Sequence, residues 1–310
     1  MLRVMIKDSQ SKRETMVVTA KTFAIGQRNA ANQALRIAGA MICLGLGMAV
    51  PAAADPVTSG YLGGQSIGYT SPTAPDNDSP SAKKELDAIR KAQFLSEERH
   101  RQAFEDAAAF SYDQLLPRFN EAAGTRLDLH SRPILAHMLR RVLDDMGSYV
   151  KAAKDAKERA RPYVEDPAIL PCETDYLRPS DMRSYPSGHS ANGYVAALLL
   201  ADVMPERASL LLARGIRYGD NRVVCGVHHP TDVEEGRRLA KAYYARVSQD
   251  PQFEADRACA IEEHRDSIAV RTVARPAWSA ACQQTYDQSV VEAVAVFAKS
   301  KAHANAFEPD

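Results

Sequence analysis

The feature that most constrains this chain is a helical apolar stripe. Ile134, Leu135, Met138, Leu139, Val142, Leu143, Met146, Tyr149 and Val150 recur at i, i+3, i+4 and i+7, with Pro133 placed for a first turn. A stripe of this width must be buried against other elements. Residues 82–110 are rich in Ala, Glu, Lys and Leu, and further helices are predicted over about 189–203, 206–219, 230–247, 251–268 and 282–303. No stretch sustains a period-two alternation and no internal repeat is evident. The sequence therefore predicts an all-α, single-domain helical bundle. Across 310 residues, 39 Lys and Arg balance 39 Asp and Glu and there is one Trp, so neither a broad basic field nor a stacking platform points to nucleic acid as a partner.

The N-terminus reads differently from the rest. An apolar run over residues 37–50 follows Arg28 and Arg36 and leads into Pro51-Ala52-Ala53-Ala54, the pattern of a secretory signal peptide cleaved after Ala54. The alternative is an uncleaved membrane anchor. The expected organisation is thus a signal peptide over 1–54, an extended Gly, Ser, Thr and Pro-rich lead-in over 55–81, and one domain over 82–310. Removal of the signal leaves 32 basic against 37 acidic residues and a periplasmic or secreted protein. Cys172, Cys225, Cys259 and Cys282 then remain, an even number bound for an oxidising compartment. Of three possible connectivities, Cys172 with Cys225 and Cys259 with Cys282 are expected first.

Chemistry concentrates between Lys154 and Asp232. Lys154 and Arg161-Pro162 close the long amphipathic stretch; on a continuing helix they would lie two turns apart on one face, both able to reach one anion. Taken alone, a solvated face among KAAKDAKERAR is the blander reading. Pro186-Ser187-Gly188-His189 stands just ahead of an apolar helix, where free backbone N–H groups and a hydroxyl make an anion site with an imidazole at its mouth. Arg222, then His228, then Asp232 supply a cation, a nitrogen nucleophile and a carboxylate that can fix the imidazole tautomer. A metal site at His228, His229 and Asp232 is the competing reading, but adjacent helical histidines diverge and no HExxH or CxxC accompanies them.

In this order and spacing the three segments resemble the signature of the phosphatidic acid phosphatase type 2 (PAP2) superfamily, KxxxxxxRP, PSGH and SRxxxxxHxxxD. Within it the chain looks most like the bacterial class A nonspecific acid phosphatases, which share a SYPSGH segment and a Cys-Gly before the third-motif His. Asn221 stands where that pattern usually has Ser; an Asn amide can still donate, so the expectation is a surviving pocket with altered geometry at one phosphate oxygen. The resemblance implies a PAP2/haloperoxidase-type helical fold and a broad-range acid phosphatase for small phosphomonoesters. His228 would be the nucleophile forming phosphohistidine, Asp232 its orienting partner and His189 the proton donor. Lys154, Arg161, Ser187, Gly188 and Arg222 would bind phosphate, with no metal or other cofactor required. Alternatives that keep the pocket are a membrane lipid phosphatase, a vanadium-dependent haloperoxidase and a non-enzymatic anion-binding module. Stable membrane insertion after signal removal is not expected, since the remaining chain has no run of eighteen apolar residues; a homo-oligomer is possible.

Overall fold

The computed structural model describes residues 60–109, 111–172, 183–268 and 279–291. The expected signal peptide, the start of the lead-in, residues 173–182 and the end of the helix predicted to 303 lie outside the described residues. Helices run in the order α1 (Pro80–Ala92), α2 (Glu97–Ala107), α3 (Tyr112–Leu115), α4 (Asn120–Ala123), α5 (Pro133–Asp155), α6 (Pro162–Glu165), α7 (Gly188–Val203), α8 (Ala208–Val224), α9 (Pro230–Val247) and α10 (Pro251–Ile268). Residues 280–291 are also helical. Among the described residues there is no strand, only one isolated bridge between Arg159 and Arg183, and the fold is all-α as the periodicity predicts.

Helix α7 forms the centre. Its residues, from Ser190 through Val203, are buried on nearly every side, which an apolar sequence such as VAALLLADV requires. It packs against α5, α8 and α9. Helix α5 buries its apolar stripe, including Ile134, Met138, Val142 and Met146. Pro133 begins it, and the N–H groups of Ile134 and Leu135, which have no partner within the helix, donate to Glu263 of α10 at 2.9 and 3.1 Å.

Two expectations are refined by the structure. The helix predicted over 82–110 breaks at residues 93–96, because Ser96 caps a new start by accepting from Arg99 N–H and Glu97 and Glu98 favour the first turn of α2. Among the described residues the lead-in has no regular structure before α1 opens at Pro80, yet it is built into the core. Leu62 and Gly63 donate their N–H groups to Asp145 at 2.9 and 3.1 Å, and Tyr61 donates to Asp256 at 2.9 Å with its ring edge-on to Phe253. Both expected disulfides are formed, Cys172–Cys225 and Cys259–Cys282, with Cα separations of 4.7 and 5.2 Å. No helix among the described residues is long and apolar enough to cross a membrane.

Candidate active site

The three chemistry-bearing segments meet at the N-termini of α7 and α9. Ser187 caps α7, its hydroxyl accepting from Ser190 N–H, while its own N–H donates to the Asp232 carbonyl at 2.9 Å. That bond ties the PSGH segment to the third one. Gly236, nearly two turns into α9, allows this approach: a Cβ there would lie 2.4 Å from the Ser187 carbonyl oxygen. Gly226, with φ +70°, turns the chain out of α8 towards His228, a conformation L side chains rarely adopt.

Lys154 and Arg161 are brought together by a different route from the one the spacing predicts. Helix α5 ends at Asp155, and Arg161 is the extended residue before Pro162, which opens α6. Proline disfavours a helical conformation in the residue before it, so the helix cannot carry both cations on one face. Instead the intervening turn is pinned by Ser184 N–H donating to the Arg159 carbonyl at 3.0 Å. Lys154 Nζ reaches the same segment, donating to the carbonyls of Arg183 and Ser184 at 2.5 and 3.3 Å.

His228 is buried, and its two nitrogens face opposite charges. Arg161 Nη1 lies 3.1 Å from Nε2; a guanidinium can only donate, so Nε2 accepts and the ring proton sits on Nδ1. There it faces Asp232 Oδ2 at 3.4 Å. Burial, with the charges of Arg161 and Lys154, pushes His228 well below the usual imidazole range against the pull of Asp232. Burial also works to raise the Asp232 carboxyl, but its hydrogen bond with His228 and the Arg159 charge more than offset this and hold it below the ordinary carboxylate range.

His189, in the first turn of α7, is half-buried, and its Nε2 lies 3.2 Å from the Ala107 carbonyl of α2. Its pKa is depressed first by burial, then by Arg222, with Arg161 and Lys154 adding to the effect. All three cations therefore act on one imidazole. Arg222 itself is buried in the last turn of α8.

Other placements depart from the sequence reading. Asn221 turns to a polar network rather than presenting its amide to the pocket: Nδ2 donates to Asp106 at 2.6 Å, and Oδ1 accepts from Arg99. His229 points away from His228, with Nε2 at 3.0 Å from Glu165 Oε1. No group of three or more His, Cys, Asp or Glu among the described residues is arranged to hold a metal. Sequence reasoning missed Arg159, whose Nη1 donates to Asp232 Oδ1 at 2.7 Å, and the role of Ser184, whose hydroxyl donates to Asp232 Oδ2 at 2.6 Å. The available signal for Arg159 was its place two residues before Arg161.

Comparison with known proteins settles the kinship of this constellation. The PAP2 superfamily profile matches residues 136–253. The non-specific acid phosphatase of Salmonella typhimurium is 34% identical over 199 residues, covering 63% of this chain and 78% of that protein. The chain belongs to the PAP2 superfamily. It is also 35% identical over 142 residues to the acid phosphatase of Zymomonas mobilis, covering 46% of this chain and 54% of that one. A non-specific acid phosphatase of Providencia stuartii is 31% identical over 153 residues, covering 49% and 60%. The PAP2 match takes in Lys154, Arg161, His189, Arg222, His228 and Asp232 but starts after α1 and α2, so Ala107 and the partners of Arg159 on α1 lie outside it.

Proposed function

We propose that this PAP2 protein is a periplasmic or secreted phosphomonoesterase that hydrolyses small phosphomonoesters of broad range, without a metal, through a phosphohistidine on His228. The observation that carries this reading is the proton arrangement of His228: Nε2 accepts beside Arg161 and Nδ1 is held towards Asp232, leaving an unprotonated nucleophile pointed at a cationic site.

Lys154, Arg161 and Arg222 would take the phosphoryl oxygens, with the Ser187 hydroxyl and the Gly188 N–H at the positive end of α7 completing the cradle. The Nε2 lone pair forms the N–P bond as the bond from phosphorus to the leaving oxygen breaks, and that oxygen takes a proton from His189. The ring, protonated on Nδ1, gains positive charge that Asp232 offsets. Water then attacks phosphorus, gives its proton to His189 and restores His228. Because Nε2 of His189 is engaged with Ala107, Nδ1 is the nitrogen that exchanges the proton.

An acid optimum follows from substrate binding rather than from an ordinary histidine. Burial, and then the charges of Arg222, Arg161 and Lys154, depress His189. A bound phosphate dianion neutralises them, so the imidazolium is formed in the complex. The test is release of phosphate from p-nitrophenyl phosphate between pH 4 and 9, with and without EDTA, beside His228→Ala and acid-quench trapping of phosphohistidine. Activity that survives EDTA and is lost in the variant, together with a trapped N-phosphate, supports the reading; folded protein without hydrolysis sinks it.

A further inference from the structure

Asp232 is fully buried, and a buried carboxylate is costly unless its oxygens are satisfied. Oδ2 is shared by three donors: the Ser184 hydroxyl at 2.6 Å, the His229 N–H at 2.9 Å and His228 Nδ1 at 3.4 Å. Oδ1 is taken by Arg159 Nη1 at 2.7 Å. The Arg159 side chain is itself 1% exposed and is fixed on every side. The same Nη1 donates to Thr231 Oγ1 at 2.7 Å, Nη2 donates to Glu85 Oε2 at 2.7 Å, and Nε donates to Asn77 Oδ1 at 3.2 Å. Glu85, on α1, also accepts from the Thr231 N–H at 2.7 Å, so the first turn of α9 is gripped from outside the motif-bearing segments.

This geometry fixes two things at once. A carboxylate held at Oδ1 by a rigid fork cannot rotate away from His228, so the tautomer with the proton on Nδ1 is maintained. The charges also count. Arg159, Asp232 and Glu85 sum to one net negative charge beside the ring, and His228 gains one positive charge when Nε2 bonds to phosphorus. Without Glu85 the Arg159 cation would cancel Asp232 and leave that charge unbalanced.

We infer that Arg159 and Glu85 are positioning residues for the nucleophile, acting through Asp232, and that helix α1 is therefore part of the reaction machinery. The inference of a kinetic role rests on the phosphohistidine reading above. The other groups that set the local field are Arg161 and Lys154 facing His228, His229 beside Asp232, Glu165 at 3.0 Å from His229 Nε2, and Asp78 acting on Glu165.

Two independent readouts test it in the full chain. The first needs no turnover: ¹⁵N NMR of the His228 ring should show an unprotonated Nε2 and a protonated Nδ1, and Arg159→Lys should mix the tautomers. Glu85→Gln should lower the His228 pKa by removing a negative charge. The second is phosphoenzyme formation in rapid quench. Arg159→Lys should slow it by about 10 to 100-fold with KM little changed, since the phosphate contacts remain. The same substitution placed on Asp232→Asn should add little, because the two act as one unit. Additive losses, or an unaltered tautomer in both variants, would overturn the inference and leave Arg159 as a structural tie. If Arg159→Lys does not fold, Glu85→Gln decides alone. Absence of turnover in the parent chain would count against the phosphatase reading, while the NMR result would still decide whether Arg159 and Glu85 position His228.

Discussion

Two buried acids sit at two helix N-termini of this molecule, and they are held in opposite ways. Asp232, in the first turn of α9, is held below the usual carboxylate range against its burial, first by its hydrogen bond with His228 and then by the Arg159 charge, with the Ser184 hydroxyl and the His229 N–H also donating to it. Glu263 receives two backbone N–H groups from α5, but its cation, Arg132, acts only at a distance; burial outweighs these and raises the carboxyl to about 7. A helix N-terminus alone is thus too weak to keep a deeply buried acid charged at neutral pH. Where the fold needs a permanent charge, as beside the proposed nucleophile, it supplies a buried arginine in direct contact. Where it needs only a cap, the buried arginine nearby, Arg132, acts through its charge alone.

The sharpest way to break this contrast is to neutralise each acid in turn. Asp232→Asn should cost on the order of 10³ to 10⁴ in kcat, because an amide can present its N–H to His228 and hold the wrong tautomer. Steady-state kinetics with phosphohistidine trapping measures this, and a loss under tenfold would contradict the role given to Asp232. Glu263→Gln should leave kcat near that of the parent.

The two disulfides extend the comparison to the chain's covalent ties. Cys225 lies three residues before His228 and its bond to Cys172 is reinforced by Cys172 N–H donating to the Cys225 carbonyl at 3.0 Å. Replacing Cys172 and Cys225 by Ser should lower kcat as well as stability. Replacing Cys259 and Cys282 should cost about 2 to 4 kcal/mol of stability, read by urea unfolding, with kcat preserved.

A smaller effect concerns stability against pH. A raised carboxyl contributes stability that is fully present below its unfolded value and is lost as pH climbs towards 7, whereas a lowered one contributes stability that is lost as pH falls through the carboxylate range. Glu263 should therefore weaken the fold by up to about 3 kcal/mol between pH 4 and 8, and Glu263→Gln should flatten that slope. Asp232→Asn should flatten the opposite slope in acid. Urea midpoints across pH for the three proteins measure both. The smallest effect is kinetic: the alkaline limb of kcat should lie at higher pH than that of kcat/KM, since bound phosphate screens the cations that depress His189.

The scaffold and the residues that meet at the candidate site were largely legible in the sequence, while their supports were not. Apolar periodicity over 133–150 exposes a buried helix because burial demands one face, and phosphate chemistry demands cations, hydroxyl and imidazole at fixed spacing. Arg159 was hidden because KAAKDAKERAR offers many equivalent charges, and which of them is buried depends on where α5 stops and on Glu85, 74 residues away. The break after Asp155 was signalled only by Pro162. Asn221 was read as a pocket residue because its partners, Asp106 and Arg99, come from a helix whose position no local pattern encodes.

The lead-in carries a consequence for the order of assembly. Tyr61 donates to Asp256, 195 residues downstream, and stacks edge-on against Phe253, so the lead-in cannot be fully seated until α10 has been made. Closure of so long a loop is slow compared with local helix formation. Leu62 and Gly63 likewise wait for Asp145. A chain wired in this way cannot lock its lead-in as it emerges, and the final tightening of that segment is deferred until α10 is in place.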